Sequence, residues 1–192
     1  KIPQLLFIVT LKKKTGFLIL SGTAKVQVGI YRKNIFKCSP MSILVLREGL
    51  FHRIKASSKQ DLYALEVETP YLKKDLVRLE DNYGRKNADY ESLKSTRKIS
   101  KKNIIFKYPK NDRINKYYLH KINLSISYYK NFNHYRNYDD KSVSIILDGN
   151  ILSDNGSKVI GTGEIVKSIT LKKLSQNYKI GNKMLVLKAY RK

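Results

Sequence analysis

A single cysteine, Cys38, leaves this chain without an intrachain disulfide and without a multi-cysteine metal site. With no histidine near it in sequence, Cys38 reads as a small buried hydrophobe rather than a nucleophile. Such sparse cysteine use points to a cytoplasmic location. No apolar run approaches the roughly 20 residues of a membrane-spanning helix, so no membrane partner is expected. The apolar opening, residues 1–11, is short and lacks a small-residue cleavage site, and it reads as a strand rather than a signal peptide. The chain begins on Lys1 rather than Met, so a truncated or altered N-terminus is expected.

Acidic residues are also scarce. Fifteen Asp and Glu stand against 39 Lys and Arg, for a formal charge of +24. A field of that sign draws in anionic small molecules and can bind nucleic acid. The lysines run from end to end, however, among abundant Asn, Ile and Tyr, the blend that AT-rich codons yield. No helix-turn-helix, zinc finger or RNP-like aromatic motif is present. Nucleic-acid binding is therefore the weakest of three readings, and it rests on charge alone.

What is present is a sequence of short strands. Hydrophobic residues make up 42% of 192, enough for one medium domain or two small ones. Phe17–Leu20, Ala24–Val28, Ile43–Leu46, His52–Ala56 and Leu62–Glu68 read as strands, punctuated by turns at Ser21-Gly22 and Arg47-Glu48-Gly49. Residues 85–115 are crowded with Lys, Asn, Asp, Ser and Arg and read as a linker. Alternation resumes over 116–130, in Ser142–Ile151, in Val159–Val166 and in Met184–Tyr190. Ser142–Ile151 mirrors Phe17–Val26, and Met184–Tyr190 matches Leu62–Glu68, so an internal repeat is expected. The domain reading is 1–84, a linker over 85–115, and a second, degenerate domain over 116–192. The fold class is all-β.

Residues 65–85 are the most specific stretch. Leu65-Glu66-Val67-Glu68-Thr69-Pro70 precedes the tail Asp75-Leu76-Val77-Arg78-Leu79-Glu80-Asp81-Asn82-Tyr83-Gly84-Arg85, and Gly49-Leu50-Phe51-His52 lies upstream. Together they resemble the cupins of the mannose-6-phosphate isomerase and sugar-nucleotide type. The resemblance implies double-stranded β-helix (jelly-roll) barrels, two in tandem, and a divalent metal held inside the barrel by imidazole and carboxylate. It also implies a phosphorylated or nucleotide-linked sugar as ligand. In the family, isomerisation moves a proton between adjacent sugar carbons with the help of a metal and a base. A homodimer formed through exposed strands fits the same resemblance.

Residue by residue, the carry-over is partial. His52 falls on a metal-ligand position, with a hydrogen-bonded strand histidine as the plainer reading. The family's other ligands fall on Val9, Leu11 and Thr15, and residues 1–47 contain no carboxylate or imidazole at all. In the second half the same positions fall on Arg136, Tyr138 and Ser142, while His134 lies two residues early and His120 reads as a strand surface residue. Arg78, Arg85 and Glu66 are the ligand-binding candidates, since a guanidinium fork suits phosphate and one strand acid can point inward. Glu68 is placed at the rim. Lys12-Lys13-Lys14 reads as a solvated face. The expected function is thus a cupin of sugar-phosphate or nucleotide-sugar metabolism with a degraded metal site, with a non-catalytic sugar-binding or assembly protein as the alternative. Whether it is an enzyme stays open.

Overall fold

The computed structural model describes residues 7–57, 61–72, 74–80, 104–110, 113–136 and 141–191. They fall into two compact units, residues 1–105 and 106–192. The 85–115 linker reading lies largely outside the described residues, as does Arg85. Among the described residues no helix is long and apolar enough to cross a membrane.

Unit 1 contains β1 (Phe7–Val9), β2 (Lys14–Ser21), β3 (Ala24–Val28), β4 (Ile35–Cys38), β5 (Ile43–Leu46), β6 (His52–Ala56), β7 (Tyr63–Thr69) and β8 (Val77–Glu80). Its two sheets run β4-β3-β6-β1-β8 and β5-β2-β7, all neighbours antiparallel. The pairs are nested as in one long hairpin: β3 with β4, β2 with β5, β1 with β6. The contacts β3–β6 and β2–β7 then roll that hairpin into a jelly roll. Directly opposed residues share a face, so the register names the interior. The buried Thr15, Phe17 and Ile19 share a face with Leu44, Leu46, Ala64, Glu66 and Glu68, of which Ala64 and Glu66 are exposed. Opposite them stand Val26, Val28, His52 and Ile54. Ile19, Ala24, Val26 and Cys38 form one cluster of the buried core, and burial pushes the Cys38 thiol up.

Unit 2 contains β9 (Asn115–Leu119), β10 (Ile122–Tyr129), α1 (Asn133–Arg136), β11 (Val143–Asp148), β12 (Asn150–Leu152), β13 (Lys158–Gly161), β14 (Ile165–Lys167), α2 (Ser168–Leu174), β15 (Lys179–Ile180) and β16 (Met184–Tyr190). The sheets run β14-β11-β16-β10-β9 and β13-β12-β15. Here too the pairs nest, β12 with β13 and β11 with β14, and β11–β16 closes the roll as β2–β7 does in unit 1. The fold class is all-β, a double-stranded β-helix in each unit. Among the described residues, Tyr129, Phe132, Tyr135, Ile146, Ile151, Leu171, Met184 and Val186 belong to its buried core.

One glycine in each unit fixes the equivalence. Gly22 (φ +75°) lies between β2 and β3, where an added Cβ would come 2.6 Å from the Asp61 carbonyl oxygen. Gly149 (φ +88°) lies between β11 and β12, where a Cβ would overlap the Lys183 carbonyl oxygen and come 2.9 Å from Met184 Cα. Each glycine packs on the backbone that enters the closing strand, β7 or β16. Phe17 and Ser144 lie equally far before their glycines, so the Phe17–Glu66 pair of unit 1 corresponds to the Ser144–Lys188 pair of unit 2.

One local reading changes. The alternating run 116–130 is a hairpin, not one strand: His120 (φ +48°) and Lys121 (φ +66°) form a tight turn between β9 and β10. Left-handed turn residues without Gly or Asn give no sequence cue, so His120 is a turn residue and not a strand residue. The stretch 168–174 is a helix, α2, whose buried Ser168 and Leu171 are spaced as one helical face.

Candidate functional site

The polar side chains of unit 1 gather at one end of the rolled sheets. The residues between β1 and β2 place the first of them. The Asp75 carboxylate accepts hydrogen bonds from the Leu11 and Lys12 amides at 2.9 and 2.8 Å, and the Thr10 hydroxyl donates to the Lys13 carbonyl at 2.8 Å. The Gly49 amide, at the turn before β6, donates to the Thr10 carbonyl at 2.7 Å. This tie-down turns Lys13 inward. Its side chain is 1% exposed, and its ammonium donates to Glu68 Oε1 at 2.8 Å. Lys13 is therefore not part of a solvated face. It continues the inward parity of Thr15, Phe17 and Ile19, and that period of two is the signal that could have found it.

Glu68 and Glu66 stand on the same face of β7, opposite Thr15 and Phe17. Glu68, its side chain 30% exposed, is engaged by the Lys13 ammonium. Glu66 is exposed, yet crowding of its carboxyl raises its pKa, the Glu68 charge adds to that, and Lys13 opposes it. Contact with water limits how far that shift goes.

His52 enters β6 directly after the Gly49 turn (φ +71°) and is 2% exposed. Its ring meets Phe17 edge to face, centroids 5.9 Å apart. Its Nδ1 lies 3.1 Å from the Leu50 carbonyl, which only accepts, so Nδ1 carries the proton and Nε2 presents a lone pair. That Nε2 is buried and has no hydrogen-bond partner among the described residues, as is Thr15 Oγ1. Burial holds the imidazole below its ordinary pKa, against the opposing pull of the Leu50 carbonyl and the Glu68 charge.

Arg78 lies on β8 opposite Ile8, which is itself opposite His52, so the three share a face of the sheet. The guanidinium-bearing residue is 7% exposed. Of the metal positions implied in the sequence, Val9 is buried at the end of β1, Leu11 is 58% exposed, and Thr15 faces the interior. The donor set does not fit a metal as it stands. Glu68 is committed to an ammonium, and among the described residues no group of three His, Cys, Asp or Glu is arranged to hold an ion. Beside the same loop, Lys12, Tyr71, Leu72, Lys74 and Asp75 line an open groove of about 570 Å³. Sequence reading missed all five.

In unit 2 the interior is chemically different. Lys188 is 2% exposed, opposite Ser144 and Ser125, with its ammonium 5.8 Å from the Tyr135 ring centroid. Ser142 donates to Ser168 Oγ at 2.6 Å, both buried. Tyr138 lies outside the described residues.

No protein-family model matches the sequence, and no curated protein is similar to it. Solved structures of Bacillus subtilis oxalate decarboxylase are similar in outline. A point mutant gives a TM-score of 0.39 at 12% identity, covering 100% of this chain and 66% of that one. The enzyme at pH 4.6 gives 0.36 at 12% identity, covering 98% and 65%. A third, whose subject is that enzyme's Mn(II) centres, gives 0.36 at 10% identity, covering 98% and 66%. This chain thus spans about two thirds of their length. At such scores the likeness carries no weight of its own, and the jelly-roll assignment rests on the nested strand order of each unit.

Proposed function

We propose that the chain is a cupin-type tandem jelly-roll protein that binds a phosphorylated or nucleotide-linked sugar, without metal-dependent isomerisation in unit 1. The carrying observation is the open groove of Lys12, Tyr71, Leu72, Lys74 and Asp75. Two ammonium groups suit a phosphate, a tyrosine face suits a sugar ring, and a carboxylate can accept sugar hydroxyls. The strongly positive chain speeds capture of such an anion. The Lys13–Glu68 pair argues against a metal-assisted proton transfer in the interior, since it withdraws one of the two carboxylates there.

Thermal shift against mannose 6-phosphate, glucose 6-phosphate, a nucleotide-sugar, free mannose and inorganic phosphate tests the reading. A phosphorylated sugar should raise the transition more than free mannose or phosphate does, and the Lys12→Ala/Lys74→Ala variant should lose that gain. No response to any phosphorylated sugar would overturn the proposal.

The assembly alternative has one observation of its own. β4 is an edge strand, and it exposes Ile35 and Phe36 at 52% and 56%. An apolar edge of this kind offers backbone and side-chain contacts to a second copy. Sedimentation of the protein and of Phe36→Lys should then separate dimer from monomer, and a concentration-independent monomer would remove this alternative.

A further inference from the structure

We propose that the β3–β4 hairpin of unit 1 docks this protein on an anionic lipid surface, its apolar tip among the headgroups and its cations against the lipid phosphates. Two observations meet in that hairpin. The first is a row of like charges across three strands: Lys25 stands directly opposite Lys37 on one side and Lys55 on the other, so all three share one face of the sheet. Opposed residues lie about 5 Å apart at Cβ, where like charges destabilise a sheet. β3, β4 and β6 hold no acidic residue to offset them. An anionic surface laid across the row removes that repulsion.

The second observation is the tip. The turn is closed by its own backbone, with the Val28 amide donating to the Asn34 carbonyl at 3.0 Å and the Asn34 amide to the Tyr31 carbonyl at 3.2 Å. It projects into open space, since a Cβ added at Gly29 would meet nothing within 4 Å. Ile30 and Tyr31 are 59% and 70% exposed there, followed by the exposed Arg32 and Lys33. Ile35 and Phe36 continue the exposed apolar surface along β4.

The mixture selects the partner. A nucleic-acid backbone would take up the cations but leave Ile30 and Ile35 in water. A second copy on β4 would cover the apolar side chains but set these cations against their like. A bilayer surface with anionic lipid accepts both kinds. Apolar side chains enter the boundary between headgroups and acyl chains, a tyrosine lies at that depth with its hydroxyl outward, and lysine and arginine reach the phosphates. Adsorption of this kind needs no membrane-spanning segment. The inference stands apart from the sugar reading, because the groove beside Asp75 shares no residue with the hairpin.

The test is co-sedimentation of the full chain with vesicles of equal parts phosphatidylglycerol and phosphatidylcholine, against phosphatidylcholine alone. The protein should bind the first and not the second, and rising salt should release it. Each cation at such a surface contributes about fivefold to partitioning, so Lys25→Gln/Lys37→Gln should weaken binding about 25-fold. Lys172→Gln/Lys173→Gln, exposed on α2, removes the same charge elsewhere and should weaken it far less. Ile30→Ser/Tyr31→Ser should weaken vesicle binding while leaving any binding of a single-stranded RNA oligonucleotide unchanged. The chain has no tryptophan, so Tyr31→Trp reports on the tip alone, and its emission should move to shorter wavelength on the anionic vesicles. Absence of vesicle binding would overturn the inference, with or without RNA binding. So would an unshifted Tyr31→Trp emission, vesicle binding that survives Ile30→Ser/Tyr31→Ser, or an equal loss from the α2 pair.

Discussion

Replacing Gly149 by alanine should destabilise unit 2 well beyond the ordinary cost of a left-handed residue. At φ +88° an L side chain costs about 1 kcal/mol. The added Cβ would also overlap the Lys183 carbonyl and sit 2.9 Å from Met184 Cα, where ordinary contact needs about 3.4 Å or more. These are backbone atoms at the entry to β16, so no side chain can rotate away. Relief requires pulling β16 from its place between β10 and β11. Overpacking of that kind costs about 1–3 kcal/mol, for a total of about 2–4 kcal/mol. Gly156 supplies the control, since it has φ +81° in the same unit and nothing within 4 Å of an added Cβ. Gly156→Ala should therefore cost only about 1 kcal/mol. Urea unfolding by circular dichroism, with equal m-values required across the set, measures both. If Gly149→Ala proved no more costly than Gly156→Ala, the packing of the turn on β16 would not be what selects glycine there.

Further expectations follow from the interiors. His52 has its pKa held below the ordinary 6.5, so the unfolded chain takes up a proton first as the pH falls. Its contribution to stability is present above about pH 6.5 and is lost on acidification, and His52→Phe should flatten that loss in urea midpoints measured against pH. Glu66 has the opposite sign: its raised pKa disfavours the folded state above the ordinary 4.5, so Glu66→Gln should raise the neutral-pH midpoint slightly. Ser168→Ala removes the acceptor of the buried Ser142 hydroxyl and should cost about 1–2 kcal/mol by the same urea assay. Cys38, buried at 8% exposure with its thiol pKa pushed up, should react with a disulfide reagent only at the rate of unfolding; fast labelling in native buffer would contradict its place in the core.

The strands were legible where burial is one-sided or complete. β2, β3, β6 and β16 carry period-two or continuous apolar runs, and Gly22, Gly49 and Gly149 mark the turns beside them. β4 escaped notice because Ile35, Phe36 and Lys37 are all exposed, so no alternation survives. α2 escaped because its N-cap, Lys167, makes no side-chain cap and its first turn holds no acid, the two cues by which helix starts are read. Gly49-Leu50-Phe51-His52 marked the turn and the strand that begins at His52, since a left-handed turn followed by a strand is a local feature. Lys13 was hidden by its neighbours: Lys12 and Lys14 are exposed, and the middle lysine stands out only when the alternation of Thr15, Phe17 and Ile19 is carried back past Lys14.

The glycine contact at the start of each closing strand has a consequence for the chemistry inside. A strand shows alternate residues to its two faces, so sliding β7 by one residue against β2 would exchange its inner and outer sets. Glu68 and the exposed Glu66 would exchange faces with Leu65 and Val67, leaving the buried Lys13 ammonium without its carboxylate. Gly22, seated against Asp61, leaves room for one alignment of the chain entering β7. A residue added or deleted between Asp61 and Tyr63 would therefore do more than loosen a turn: it would reverse the polarity of the barrel's contents while keeping every strand.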